Sequence, residues 1–283
     1  MRPEGCYFPP LSDIICTWVM VPMSRGKKRK KRLLKILFLL MCPVLLVLML
    51  FFTPIFTVKN IRVEGAGYYS EEEIRLASGI ALGENPYRQL RLSPEAILGL
   101  RLLDAETAIE ALPRIKEARV FVIFPNEVGI RVAERQPSVY LPYLGSYLTV
   151  DAEGYVLEVC QGSPPEGLKE VRGIDFSSYS VGKQLETSDI GHVRLADNIV
   201  GAIRESDENS DFQLWPVVDW IDVVDEDTAM MSFDNRVVVR FDPTDRLQYT
   251  IDFAKQIFFT KIGTSERGRL EFIKGQNPSF IPD

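Results

Sequence analysis

A long run of apolar residues lies near the start of the chain. Residues 36–52 carry no charge. The run reaches about 20 residues when it is counted from Leu33 with Lys35 extended toward the lipid headgroups, and this length is enough to cross the core of a bilayer. A buried core helix is the alternative, but such a helix is rarely apolar on every face. The pattern therefore predicts a transmembrane helix over residues 33–55.

A block of basic residues precedes this run. An excess of Lys and Arg marks the cytoplasmic flank of a membrane helix and attracts anionic lipid headgroups. We therefore expect a cytoplasmic tail over residues 1–32 and a single pass with the rest of the chain outside. A nucleic-acid patch is the alternative reading of the block, and a cleaved signal peptide is the alternative for the apolar run, although no small-residue cleavage pattern follows it. The block consists of Lys27, Lys28, Arg29, Lys30, Lys31 and Arg32.

Residues 1–22 differ in composition from the basic block, because they are rich in Pro, Cys and aromatic residues. The segment from Met23 reads as a complete short cytoplasmic tail. We hypothesise that translation starts at Met20 or Met23, so that residues 1–22 are not translated. The intact mass of the native protein tests this hypothesis.

Beyond residue 56 the apolar spacing becomes that of a small α+β domain. Alternation with period two predicts strands, and spacing of three and four residues predicts helices. A Ser followed three residues later by Glu is the capping-box signal for a helix start. Over residues 56–135 the spacing predicts a strand from Val58, a helix capped by Ser70 and Glu73, a second helical stretch over 93–112, and two strands over 116–125 and 126–134.

Residues 136–275 have the pattern of a mixed α/β domain that is mostly β. A hairpin with its turn at residues 151–154 opens it, and turn chemistry explains Asp151 and Glu153 there. The pattern then predicts a helix from Ile190 to near Arg204, strands over 220–224, 228–233 and 237–241, a helix over 244–260, a last strand within 267–275, and a short tail over 276–283.

Several of these segments resemble one family of bacterial division proteins. The segments are FTVKNIRVEG, SEEEIRLASG, NPYRQL, ALPRIKEARVFVIFPNEVGIRVAERQP and YLTVDAEGYVLE. They are similar to the FtsQ/DivIB proteins, and the chain departs from that pattern by extra residues around 93–103. The resemblance implies that residues 56–135 are a POTRA domain. It also implies a non-enzymatic scaffold enriched at the division septum.

The resemblance further implies where partners bind. The last strand would receive a strand from DivIC or FtsB, in a complex that contains FtsL and acts indirectly on the septal peptidoglycan synthase. A strand at a sheet edge offers unpaired N–H and C=O groups for such pairing. An ordinary edge protected by Arg269 and Lys274 is the alternative. The predicted receiving residues are Arg269, Leu270, Glu271, Phe272 and Ile273.

Charge and cysteine content narrow the range of functions. Of the 283 residues, those up to Phe56 include nine Lys/Arg and two Asp/Glu, whereas the remainder includes 24 and 37. Such an acidic body is a poor binder of nucleic acid, because phosphates are bound mainly by Lys and Arg. A single His192 and scattered cysteines form no metal-ligand pattern, so we expect no cofactor and no small-molecule substrate.

Two alternative functions compete with the scaffold. One is a membrane-anchored cell-wall enzyme, because Ser180 and Lys183 form an S-x-x-K pattern like that of penicillin-binding proteins. Its companion motifs fail, with Glu208 in place of Asn and Ile262 in place of Thr. The other is a POTRA-bearing chaperone of secretion or membrane assembly, although no barrel-length series of alternating strands is present.

Overall fold

The computed structural model describes residues 25–91, 93–208 and 210–283. The hypothesis on residues 1–22 lies outside the described residues, and so do the side chains of the basic block. The chain divides into two compact units, Met1–Thr53 and Pro54–Asp283.

The first unit contains one long helix, α1 (Arg25–Phe52), with Pro43 inside it. Its described apolar side chains, such as Leu34, Phe38 and Leu46, are exposed. Within the described positions, no helix is both long enough and apolar enough to cross a membrane. The transmembrane helix over residues 33–55 therefore stays a prediction.

The second unit begins with a three-stranded sheet, which with its helices we call the first domain (residues 56–135). Strand β1 pairs parallel with β3, and β3 pairs antiparallel with β2, in the order β1-β3-β2. The elements are β1 (Asn60–Glu64), α2 (Glu71–Ala77), α3 (Pro94–Gly99), α4 (Leu103–Glu110), β2 (Ile115–Ile123) and β3 (Glu127–Glu134). The predicted α+β order is confirmed.

Local sequence explains where the helices of the first domain begin and end. The Ser70 hydroxyl accepts a hydrogen bond from the Glu73 amide, and the Glu73 carboxylate accepts one from the Ser70 amide, so the predicted capping box is confirmed. The second helical stretch is broken, because Leu100 adopts a left-handed conformation with φ 49° between α3 and α4. The helical stretch predicted over 93–112 therefore consists of two short helices, α3 and α4.

The second domain (residues 136–283) is built on a nine-stranded sheet with two helices, α5 (Ile190–Glu208) and α6 (Leu247–Thr260). Two further strands, β8 (Phe176–Ser178) and β9 (Glu186–Thr187), form a small separate pair. In spatial order the large sheet contains β14 (Ser279–Pro282), β13 (Gly268–Glu271), β12 (Val237–Phe241), β11 (Thr228–Phe233), β10 (Val218–Asp225), β7 (Lys169–Arg172), β4 (Val139–Tyr143), β5 (Ser146–Val150) and β6 (Val156–Gln161).

The core of the second domain lies between this sheet and its helices. Helix α5 buries Ile199 and Ile203 four residues apart on one face, and Phe233 and Phe241 of the sheet are also fully buried. Helix α6 is tied to α5 by a buried ion pair, in which Lys255 Nζ lies 2.7 Å from the Asp207 carboxylate.

Helix α6 begins three residues later than the predicted position at 244. The Asp242 carboxylate accepts hydrogen bonds from the amides of Thr244 and Asp245, which makes a turn in place of a first helical turn. Arg246 then adopts a left-handed conformation with φ 48°, so the helix starts only at Leu247.

The C-terminal residues differ from the prediction in one further way. Residues 276–283 are not only a tail, because β14 pairs antiparallel with β13. Strand β13 is therefore not the edge of the sheet, and the prediction that it is the edge was wrong. The chain reverses at Gly275, which has φ 79°, a conformation that favours glycine.

Candidate partner-binding edge

Strand β13 has one side paired with β12 and the other with β14. The amides of Gly268 and Phe272 donate to the carbonyls of Arg236 and Arg240, on the β12 side. Because successive residues of a strand alternate in direction, the N–H and C=O groups of Arg269 and Glu271 face β14. These two residues therefore provide the backbone groups that a partner strand would use.

The side chains of the predicted receiving residues divide between the core and the solvent. Leu270 is 1% exposed and belongs to the core, and Phe272 packs partly against it. Arg269 is exposed, and its guanidinium lies 3.5 Å from the Glu271 carboxylate. Ile273 lies beyond the end of β13 and is 48% exposed. The five residues are consecutive in the chain, and the side chains of Arg269 and Ile273 are the exposed ones among them.

An aromatic group adjoins this segment. Phe253 of α6 contacts Phe272 edge to face at 6.3 Å and stacks on the exposed Tyr249 at 5.7 Å. A surface cavity of about 340 Å³ lies beside it and is lined mainly by polar groups of residues 242–250 and 272–278. Burial acts to raise the pKa of Asp242, but hydrogen bonds from Thr244 and Asp245 lower it below its ordinary value.

The residues of the alternative enzyme do not form a catalytic arrangement. Ser180 and Lys183 are exposed in a loop, and the Lys183 amide donates to the Ser180 carbonyl as in a turn. Ser206 accepts instead from Lys255 Nζ. His192 Nδ1 lies 3.3 Å from the Gly173 carbonyl oxygen. Over the described residues, no three His, Cys, Asp or Glu side chains group closely enough to hold a metal ion.

A charged cluster that the sequence did not predict lies between the two domains. Arg135, 8% exposed at its side chain, donates through Nη1 to Asp151 at 2.7 Å and to Glu153 at 2.8 Å. Its guanidinium also lies 3.4 Å from the centre of the Tyr155 ring. Burial acts to lower the pKa of Arg135, but the two carboxylates raise it. Nothing in the local pattern distinguishes Arg135 from a surface arginine.

The hairpin turn at residues 151–154 is confirmed and has a second role in this cluster. The Asp151 carboxylate accepts from the amides of Glu153 and Tyr155, which closes the turn. Glu153 also accepts from Lys116 of the first domain at 2.7 Å. The turn therefore joins the domains, and it carries no sign of acid and base chemistry.

The sequence of this chain is similar to those of several known proteins. A sequence model described as "POTRA domain, FtsQ-type" matches residues 56–135. The cell division protein FtsQ of Corynebacterium glutamicum is 32% identical over 133 residues, which is 46% of this chain and 53% of that protein. FtsQ of Chloroflexus aurantiacus is 30% identical over 141 residues, covering 48% of this chain and 46% of the relative. Cell division protein DivIB of Clostridium tetani is 27% identical over 167 residues, 58% of each chain.

The fold and the matched region define an α+β protein with a POTRA domain of FtsQ type. The predicted resemblance to the FtsQ/DivIB proteins is confirmed by this match and by these relatives. The chain spans about half the length of the curated relatives it matches.

Proposed function

We propose that this protein is a non-enzymatic scaffold of the division septum that influences septal peptidoglycan synthesis through protein contacts. The observation that carries the proposal is the FtsQ-type POTRA match over residues 56–135. Support comes from the names of its relatives, which are cell division proteins. Localisation at the septum can be tested directly, because a fluorescent fusion of the full chain should concentrate at mid-cell. A uniform distribution around the cell would contradict the proposal.

The second part of the proposal is the membrane anchor. Residues 33–55 would form the single membrane pass, with residues 1–32 in the cytoplasm and the two domains outside. The support is the sequence, in which an uncharged apolar run directly follows the basic block Lys27, Lys28, Arg29, Lys30, Lys31 and Arg32. The basic block would also meet anionic lipid headgroups. Extraction of cell membranes tests this, since an anchored chain stays in the membrane fraction under alkaline carbonate.

The third part concerns the partners. DivIC/FtsB-like and FtsL-like proteins would bind at the β13 end of the large sheet by adding a strand, and would connect the scaffold to the peptidoglycan synthase. What supports this location is that the Arg269 and Glu271 backbone groups point away from β12. The exposed side chains of Arg269 and Ile273 would contribute contacts beside the added strand.

The strand-addition model is tested with a matched pair of variants at one position. Arg269→Pro removes an N–H that faces away from β12, so it should abolish capture of a strand while leaving the β12 pairing intact. Arg269→Ala keeps that N–H and serves as the control. We expect co-purification of the DivIC-like partner to fall at least tenfold for the proline variant only. Unchanged capture by a folded Arg269→Pro chain would contradict binding at this edge. Leu270 is unsuitable for such a test, because it is buried in the core.

A further inference from the structure

The edge that a partner would need is occupied by the chain's own last strand. Four residues of β14 pair with β13, from Gly268 opposite Pro282 to Glu271 opposite Ser279. The Asp283 amide extends this ladder by donating to the Arg267 carbonyl at 3.1 Å. A partner strand and β14 therefore compete for the same backbone groups.

Gly268 shows that β13 is shaped for this close approach. A Cβ atom built at Gly268 would lie 2.2 Å from the Ile281 carbonyl oxygen and 2.9 Å from Pro282 Cα. Gly268 also has φ 154°, at the border of the region that favours glycine. The contact is with backbone atoms, which cannot move aside as the end of a flexible side chain can.

The outer side of β14 is poorly suited to receive a further strand. By alternation from the Asp283 and Arg267 hydrogen bond, the backbone groups of Phe280 and Pro282 face outward. Pro282 has no N–H, so Phe280 has the outward N–H of this short strand, and Pro278 directly precedes the strand. Proline and short length are devices by which proteins protect a sheet edge. Strand β14 thus ends the sheet where β13 alone would leave it open.

The attachment of β14 is also limited. Phe280 packs partly against the core, whereas Ile281 is 50% exposed and residues 274–277 of the connecting loop are exposed. Release of β14 therefore breaks a four-residue ladder and the core packing of one side chain, Phe280, which lies opposite Leu270. Segments with few buried apolar contacts open locally at low cost.

We propose that residues 274–283 form a built-in cap strand that must leave β13 before an extended partner segment can pair there. The partner segment would be antiparallel to β13 and would place an aromatic or large apolar side chain where Phe280 lies. The identity of the partner rests on the proposed function, but the cap itself does not. The cap strand prevents pairing of β13 with unrelated strands until a specific partner displaces it.

The cap is tested with three variants of the full chain and a free peptide. Deletion of residues 276–283 removes β14, Phe280→Asp removes its core contact, and Ile281→Asp is the control, since Ile281 faces away from the core. The probe is the synthetic peptide QNPSFIPD, which copies residues 276–283. It is supplied at millimolar concentration, because a short tether gives β14 a local concentration of about that size.

The readout is hydrogen exchange of the β13 amides, followed by mass spectrometry. We expect Arg269 and Glu271 to exchange at least tenfold faster in the deletion and Phe280→Asp chains, and we expect the peptide to restore slow exchange. The intact and Ile281→Asp chains should be unaffected by the peptide. A deletion chain that stays folded and gains no protection from the peptide would overturn the cap.

Partner capture separates this inference from the proposed function. The deletion chain should capture the DivIC-like partner at least tenfold more effectively than the intact chain. Equal capture by both chains would refute the cap and leave the scaffold proposal standing. Capture by neither, with peptide protection as expected, would refute the partner assignment and leave the cap standing.

Discussion

The two ends of the nine-stranded sheet are protected in different ways. At the β6 end, charged side chains of the first domain lie against the sheet, and Arg114 pairs with Glu158 of β6 at 2.7 Å while Arg135 reaches Asp151 and Glu153 in the adjacent turn. At the other end, β14 covers β13 through a hairpin from the same segment of chain.

The two ends of the sheet differ in the cost of separating the outer strand from what covers it. Opening the β6 end would leave Asp151 and Arg135, each 8% exposed at the side chain, without their charged partners. The loss of one partner of a buried ion pair costs folding free energy, because the other charge stays buried. Backbone groups released at a surface edge can instead form hydrogen bonds with water. The β6 end is therefore a joint between the two domains, and the β13 end is the one at which we propose that another strand binds.

The largest effect is expected from breaking the domain joint. Arg135→Ala leaves the buried Asp151 carboxylate unpaired and removes the stacking on Tyr155, so the free energy of unfolding should fall by about 3 kcal/mol. Urea denaturation of the variant and the wild type measures the change. Arg119→Ala is the control, because that arginine pairs with Glu117 in an exposed position and should cost less than about 0.5 kcal/mol. Similar losses in both variants would contradict a special role for the joint.

An intermediate effect is expected at the other end. Gly268→Ala places a Cβ against the Ile281 carbonyl, and the free energy of unfolding should fall by about 2 kcal/mol as β14 is displaced. Gly275→Ala is the matched control, since it also has positive φ but no atom within 4 Å of the added Cβ, and it should cost about 1 kcal/mol. If exchange at Glu271 accelerates no more in Gly268→Ala than in Gly275→Ala, the close contact does not hold β14.

The smallest effect is a pH dependence that should appear at the β6 joint. Hydrogen bonds from Lys116 and then Arg135 lower the pKa of Glu153 below its ordinary value of 4.5. A lowered pKa in the folded state gives stability that is present above about pH 4.5 and is lost as the pH falls through the folded value. The free energy of unfolding, measured from about pH 3 to 6, should therefore depend less on pH in Glu153→Gln than in the wild type. Equal pH slopes would show that Glu153 contributes nothing to the joint.

The sequence predicted elements whose signals are local. The capping box at Ser70 and Glu73 and the apolar face of α5 depend on spacing along the chain, and both are present. The tight turn at Asp234 and Asn235, which joins the strands predicted over 228–233 and 237–241, is local in the same way, because both of its residues have positive φ. These features could be predicted because their physical causes lie within a few residues.

Other features depend on contacts between distant segments. Strand β14 has four residues and ends in proline, so it shows no alternation that would predict a strand. The parallel pairing of β10 with β7, which joins the two halves of the large sheet, follows from packing and not from any local pattern. The Arg135 cluster likewise exists only once the domains meet. The last strand of the prediction was thus at the right place in the chain, but its position at the sheet edge was wrong, because β14 pairs with it.

The central claim is that the β13 end opens locally while the sheet stays folded. Hydrogen exchange of the intact full chain in increasing low concentrations of denaturant measures this directly. We predict that the Arg269 and Glu271 amides exchange through a local opening whose free energy depends little on denaturant. This free energy of opening should be lower than that of the Met231 amide in the sheet interior. The claim would be contradicted if all three amides exchanged with the same free energy and the same dependence on denaturant.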